Sequence, residues 1–279
     1  MPHFTSYDGT KIAYRRIGTG RPLVCLPGGP GRHPDYFGDL GGLADYRELI
    51  MPETRGTGES STPTDPATYR RDRLAEDVEG LRVELGLERM DLLAHSAGGV
   101  VGLYYAAAYP QRIRRLVLHS PGLFPLGLTL TDAQQRAAMA RRSGEPWYED
   151  ACAAIDAAGS GDTSDETRHR YLPFFYGRWD LAAQRHARLG FTERHKAVAA
   201  EFYGPGAPEP AAIKAALAAV NAPVMMYVGE LEIGPTPEQA AEAVASFAGW
   251  QLTVHPQASH YPWLDDPDTY VANLRTFLD

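Results

Sequence analysis

Apolar residues in this chain fall into two kinds of pattern that take turns along the sequence. Residues 22–26, 90–95 and 223–228 are short, largely apolar runs bounded by glycine, proline or charged residues, and 114–119 reads as another strand. A run without polar alternation suits a strand covered on both faces. Residues 69–85 follow helical spacing instead, with Leu74, Val78, Leu81 and Leu85 on one face. Residues 237–247 and 268–278 read as further helices, and 47–51 and 250–255 as further strands. At the start, 4–7 and 11–15 predict two short strands joined at Asp8-Gly9, a hairpin signal. Strands alternating with helices predict an α/β protein. Its sheet is mostly parallel, with helices on both faces and functional loops at the carboxyl ends of the strands.

The alternation fails over residues 121–221. That stretch holds helical patches and an aromatic cluster (Phe174, Phe175, Tyr176, Trp179) but no convincing strand. It predicts a helical lid inserted after the sixth strand, with 1–120 and 222–279 forming the core. The aromatic cluster is read as the lid's own core rather than as a substrate pocket.

The candidate chemistry begins where the run at 90–95 stops at Ser96, between the small residues Ala94 and Gly98, and a helical pattern opens that Pro110 ends. A strand, a sharp turn and a helix hold a serine hydroxyl out at the end of a sheet, in a strained backbone that only small neighbours can flank. Ser96 is therefore the candidate nucleophile. A serine in this place also suits an ordinary helix N-cap, so the rest of the chain decides. A nucleophilic serine needs a base, an acid to orient that base, and backbone donors for the oxyanion. His260, just beyond the last strand, is the candidate base. Glu230 and Glu232 follow the strand at 223–228, and Glu232 is preferred as the acid, with Glu230 the alternative. His95 is read as a packed core histidine. His33, beside a Gly/Pro-rich loop, either lines the site or faces water, and water is preferred.

Four segments resemble the α/β-hydrolases of the proline iminopeptidase type. Pro27-Gly28-Gly29-Pro30-Gly31 is similar to the family's His-Gly-Gly-Pro-Gly loop, and Arg55-Gly56-Thr57-Gly58-Glu59-Ser60 to its Arg-Gly-x-Gly-x-Ser loop. Ala94 to Gly99 resembles the nucleophile turn, and Ser259-His260-Tyr261-Pro262 the surroundings of the catalytic histidine. The resemblance implies the α/β-hydrolase fold and an oxyanion hole made of the Gly29 and Ala97 amides, since Pro30 has no N–H. It also marks Gly28, His33, Trp179 and Asp180 as candidate substrate contacts, the last two through a faint similarity to an aromatic–acid pair in the family's lid. Three positions depart from the family pattern: Pro27 stands for histidine, Ala94 for the first glycine of the turn, and Glu232 for aspartate.

Composition narrows the possible partners. A formal net charge of -8 disfavours nucleic acid and anionic membrane, which leaves a small-molecule substrate. Neither of the two cysteines, Cys25 and Cys152, sits in a spaced motif, so no zinc site or disulfide framework is expected. No cofactor motif is present, no leader or spanning segment is read, and a cytoplasmic monomer or homodimer is expected. An iminopeptidase must grip a free amino terminus, for which Asp180, Glu193 and Glu201 are the candidate carboxylates. Yet residues 121–221 carry twelve Asp and Glu against eleven Lys and Arg, which is no acidic bias. The expected reaction is hydrolysis of a small ester, lactone, thioester or amide through an acyl-Ser96 intermediate, with aminopeptidase activity second. An acyltransferase or cyclase, or a non-catalytic small-molecule receptor, are the other readings. Ser96 itself excludes relatives with an aspartate nucleophile.

Overall fold

The computed structural model describes residues 1–193 and 195–279. Its strands are β1 (His3–Thr5), β2 (Lys11–Ile17), β3 (Arg21–Leu26), β4 (Arg47–Pro52), β5 (Met90–His95), β6 (Ile113–His119), β7 (Val224–Gly229) and β8 (Trp250–His255). They form one eight-stranded sheet in the order β1-β2-β4-β3-β5-β6-β7-β8. The pairs β1/β2 and β2/β4 are antiparallel, and every pairing from β4 through β8 is parallel. The first strand stops at Thr5, short of residue 7, because the turn starts early. Ser6 N–H donates to Thr10 O at 2.8 Å, Thr10 N–H donates to the Asp8 carboxylate at 3.1 Å, and Gly9 takes φ +85°.

The unbroken apolar runs have a direct structural cause. Along β5, Leu92 and Ala94 point into one buried cluster and Leu93 into the other; along β3, Val24 and Leu26 oppose Leu23 and Cys25. Successive strand residues face opposite sides, so a strand covered on both sides has no polar position to spare. Helices α1 (Arg71–Glu84) and α2 (Ala97–Ala108) cover the first face. Between β6 and β7 the described residues form α3 (Asp132–Ala140), α4 (Tyr148–Gly159), α5 (Asp165–Tyr171), α6 (Leu181–Thr192), α7 (Lys196–Phe202) and α8 (Pro210–Leu217), with no strand among them. The last of these is built into the core. Ile213 and Leu217 of α8 share the buried cluster of Val101, Tyr104 and Tyr105 on α2. Helices α9 (Pro237–Ala245), α10 (Pro262–Asp265) and α11 (Pro267–Leu278) complete the chain. Both α9 and α11 begin with proline behind a side-chain cap, Thr236 and Asp266 respectively.

The loop after β4 is held by charge. Arg55 is fully buried, donating to Asp77 through Nε at 2.8 Å and to Asp8 through Nη1 at 2.6 Å. These bonds tie the β4 loop to α1 and to the N-terminal hairpin. Removing one partner of a buried pair strands the other charge, at a cost of about 3–5 kcal/mol. Arg55→Ala is accordingly expected to lower unfolding free energy by that amount in a denaturant titration. Arg136→Ala, which cuts the exposed pair with Asp156, should leave it almost unchanged.

Candidate active site

Ser96 sits where β5 turns into α2, with φ 56° and ψ -119°. This is left-handed backbone on a residue with a side chain, a conformation that costs about 1–3 kcal/mol and persists only where its surroundings enforce it. The enforcement comes from close packing. A Cβ on Gly98 would lie 2.4 Å from Leu26 O and 2.6 Å from Pro27 O, both backbone atoms. A Cβ on Gly28 would lie 2.7 Å from the Cβ of Ser96. The small residues let the β3 loop press directly against the turn. Ser96 N–H donates to His119 O at 2.9 Å, which pins the turn to the end of β6.

The loop after β8 carries His260. Its Nδ1 lies 2.7 Å from Oε2 of Glu232, whose side chain is fully buried in the loop after β7. An ionised carboxylate only accepts, so Nδ1 carries the proton and Nε2 is left as the basic nitrogen. Glu230 is turned elsewhere, its carboxylate accepting from the Gln257 backbone N–H at 2.8 Å. Of the two glutamates, then, Glu232 meets the imidazole. The ring is fixed further by its own backbone, His260 N–H donating to Phe175 O at 3.1 Å, and by the edge-on Phe175 ring. Next to it, Ser259 Oγ donates to Phe174 O at 2.7 Å, and Asp265 accepts from the amides of Ser259 and Gly177. The segment between β6 and β7 is thus stitched to the histidine loop.

His95 joins these pieces from below. Its Nε2 is 3.0 Å from His260 O and its Nδ1 is 2.7 Å from Tyr36 Oη. A carbonyl only accepts, so Nε2 holds the proton. Burial, with His260 and His119 beside it, pushes the His95 pKa well below the ordinary histidine value. The neutral ring therefore presents a bare Nδ1, which accepts from the Tyr36 hydroxyl. Tyr36 Oη in turn accepts from Gly28 N–H at 2.8 Å. One buried chain of hydrogen bonds runs from the glycine loop, through the residue before Ser96, to the backbone of His260.

Ser96, His260, Gly29 and Ala97 line one cavity of about 310 Å³. The Gly29 and Ala97 amides have no hydrogen-bond partner among the described residues. Gly28 lies immediately behind the Ser96 side chain. Three other sequence candidates are placed away from the cavity wall. His33 points to buried Glu53, with Nε2 to Oε1 at 3.0 Å. Trp179 packs on Tyr176, and Asp180 caps α6 by accepting from the Ala182 and Ala183 amides. Of the lid carboxylates, Glu193 is bound to Arg32 at 2.8 Å and Glu201 is exposed; neither belongs to the wall.

Sequence reasoning missed Tyr36, Arg32 and Arg168, and it read Phe175 as lid core, whereas Phe175 lines the cavity. Tyr36 lies in a short 3-10 turn, Pro34–Phe37, that has no periodic signal. The arginines lie on segments whose spacing says nothing about which face meets the cavity. Among the described residues no group of three or more His, Cys, Asp or Glu side chains could hold a metal ion, and no helix is long and apolar enough to cross a membrane.

Residues 21–230 match the family model described as the alpha/beta hydrolase fold. The chain is 36% identical over 126 residues to a cis-3-alkyl-4-alkyloxetan-2-one decarboxylase of Shewanella oneidensis, covering 44% of this chain and 40% of that protein. It is 28% identical over 290 residues to a proline iminopeptidase of Lactobacillus acidophilus, covering 98% and 96%. The solved structure of proline iminopeptidase from Mycobacterium smegmatis superposes with a TM-score of 0.74 at 21% identity, over 99% of this chain and 97% of that one. Several of the curated relatives, the decarboxylase among them, are matched over only about two fifths of their own length. Sheet order, the turn at Ser96 and the family match agree: the chain belongs to the α/β-hydrolase fold family, and within it resembles the proline iminopeptidases.

Proposed function

We propose that the protein is a serine hydrolase that cleaves a small ester, lactone, thioester or amide through an acyl-Ser96 intermediate. The observation that carries this reading is the His260–Glu232 contact at 2.7 Å on the wall of the cavity that Ser96 enters from its strained turn. Ser96 Oγ attacks the acyl carbonyl while His260 Nε2 takes its proton. Glu232 stabilises the imidazolium that forms. The amides of Gly29 and Ala97 bind the developing oxyanion. Collapse expels the leaving group, which receives the proton from His260, and water repeats the sequence on the acyl-enzyme. In this reading the helical segment 121–221 acts as a lid apart from α8, which is packed into the core, with Phe175 and Tyr171 roofing the cavity.

Aminopeptidase action is the second reading, favoured by the similarity to proteins named proline iminopeptidase. The cavity favours the first. No aspartate or glutamate is among the described residues that line it, whereas Arg32 and Arg168 are. A free ammonium finds no counter-charge there.

The test is hydrolysis of short-chain nitrophenyl esters beside prolyl and alanyl nitroanilides. Ester turnover that disappears in Ser96→Ala is expected, with a loss of at least about a thousandfold. Efficient nitroanilide cleavage would establish the second reading instead. Ser96→Gly should be equally inactive yet more stable than Ser96→Ala by roughly 1 kcal/mol, because glycine accepts the positive φ; equal thermal midpoints would contradict the strain. Glu232→Gln is expected to lower kcat by about 10⁴-fold and Glu230→Gln only a few-fold. The reverse ranking would reassign the acid. Tyr36→Phe leaves the Gly28 N–H buried without its acceptor, and should cost about 1–3 kcal/mol of stability and lower kcat more than it raises KM.

A further inference from the structure

The charge on the cavity wall is opposite in sign to that of the whole protein. With a formal net charge of -8, the chain nevertheless lines the space around Ser96 with two guanidinium groups and no carboxylate among the described residues. The two arginines differ in what they already hold. Arg32 is engaged on all sides: Nε donates to Glu193 at 2.8 Å, Nη1 to Tyr261 Oη at 3.1 Å, Nη2 to His186 O at 3.4 Å, and its plane lies over the Tyr36 ring at 4.2 Å. It is a strut. Arg168 has no carboxylate within ion-pair distance among the described residues, and its guanidinium meets only the Phe191 ring, at 5.6 Å. Two residues further along α5, Arg170 grips Asp150 on the outer surface at 2.7 Å. The helix thus carries one paired arginine facing solvent and one arginine facing the cavity that has no carboxylate partner among the described residues.

Orientation supports this placement. Arg168, Tyr171 and Leu172 fall at i, i+3 and i+4, and all three line the cavity, so one face of α5 is turned toward Ser96. A second unpaired donor lies on the same wall. Ser120, 1% exposed and at φ 42°, has a hydroxyl with no hydrogen-bond partner among the described residues. A half-buried guanidinium and a buried hydroxyl without partners among the described residues suit a ligand rich in acceptors, and a planar guanidinium fork matches a carboxylate through two parallel bonds.

We propose that Arg168 forms an anion subsite, and that the substrate is an ester, lactone or related acyl compound bearing a free carboxylate. This rests on the hydrolytic reading above and narrows it. Arg168 binds the substrate's carboxylate, Ser120 donates to a neighbouring oxygen, and the reacting carbonyl is left at Ser96. A neutral acyl chain of the same length leaves the guanidinium without a counter-charge and binds less well.

The test compares each acid with its methyl ester in two pairs. One pair carries the carboxylate on the acyl side (4-nitrophenyl hydrogen glutarate against 4-nitrophenyl methyl glutarate), the other on the alcohol side (3-acetoxybenzoate against methyl 3-acetoxybenzoate). The rate with Ser96→Ala is subtracted throughout. In at least one pair kcat/KM should favour the acid by about tenfold or more. That ratio, which is independent of the fraction of folded enzyme, should collapse toward one in Arg168→Gln and recover in part in Arg168→Lys. No preference for the acid in either pair, or a preference that survives Arg168→Gln, overturns the subsite. If no ester is turned over above the Ser96→Ala background, the hydrolytic reading fails and the subsite is judged by calorimetry alone. Ser96→Ala protein should then bind 3-acetoxybenzoate or glutarate saturably, and the Ser96→Ala/Arg168→Gln double variant should not. Absence of binding in the former, or its persistence in the latter, overturns the proposal.

Discussion

His95 has to stay neutral for the site to keep its shape. Its ring is buried beside His119 at 4.9 Å and His260 at 4.6 Å between ring centroids, and a proton on Nδ1 would break the bond from Tyr36 that in turn holds Gly28. Burial supplies the neutrality by penalising the charged ring. Three loops from distant parts of the chain then share one rigid reference. The glycine loop hangs from Tyr36, the nucleophile turn follows His95 directly, and the histidine loop rests its His260 carbonyl on Nε2. A buried network with every member satisfied fixes geometry more tightly than apolar packing alone, since each lost bond leaves a desolvated polar group behind.

The same burial organises the charges around it. Glu232 is enclosed in protein, and its close partner is the ring N–H of His260. The contact leaves Nε2 as the free nitrogen of the His260 ring, beside the cavity that Ser96 also lines. Arg32 answers to Glu193 and braces the aromatic wall of Tyr36 and Tyr261. Arg168 meets the Phe191 ring and has no carboxylate partner among the described residues. A wall with two guanidinium groups and no carboxylate among the described residues offers donors to bound oxygen atoms and no counter-charge to an ammonium group.

Much of the fold could be read from the residues because the sheet's double burial imposes unbroken apolar runs. The strand at 250–255 and the helix ending at Leu278 coincide with the expectation, and the rest agree within a few residues. The first strand was over-read at 4–7, because side-chain bonding from Asp8 starts the turn before apolar character ends. Ser96, His260 and Glu232 stand out in the sequence as candidates because each follows the carboxyl end of a strand, and the structure brings His260 and Glu232 into contact beside the cavity that Ser96 lines. Tyr36 and Arg168 do not stand out, and Phe175 reads as lid core. Tyr36 and Phe175 lie in 3-10 turns and Arg168 on α5, elements whose packing direction depends on contacts with remote segments, and no local period encodes that. His33, Trp179 and Asp180 were singled out by proximity or faint similarity, and the structure has them bonded to their own neighbours.

The central claim is that Ser96 is a nucleophile activated by the His260–Glu232 pair. Its most direct test is covalent capture: incubation of the protein with a fluorophosphonate, followed by intact-mass and peptide mass spectrometry. The expected result is one adduct per chain, located on Ser96, formed much more slowly in Glu232→Gln and absent in Ser96→Ala. A folded protein that takes up no adduct, or takes it up with equal ease when Ser96 is replaced, would contradict the assignment.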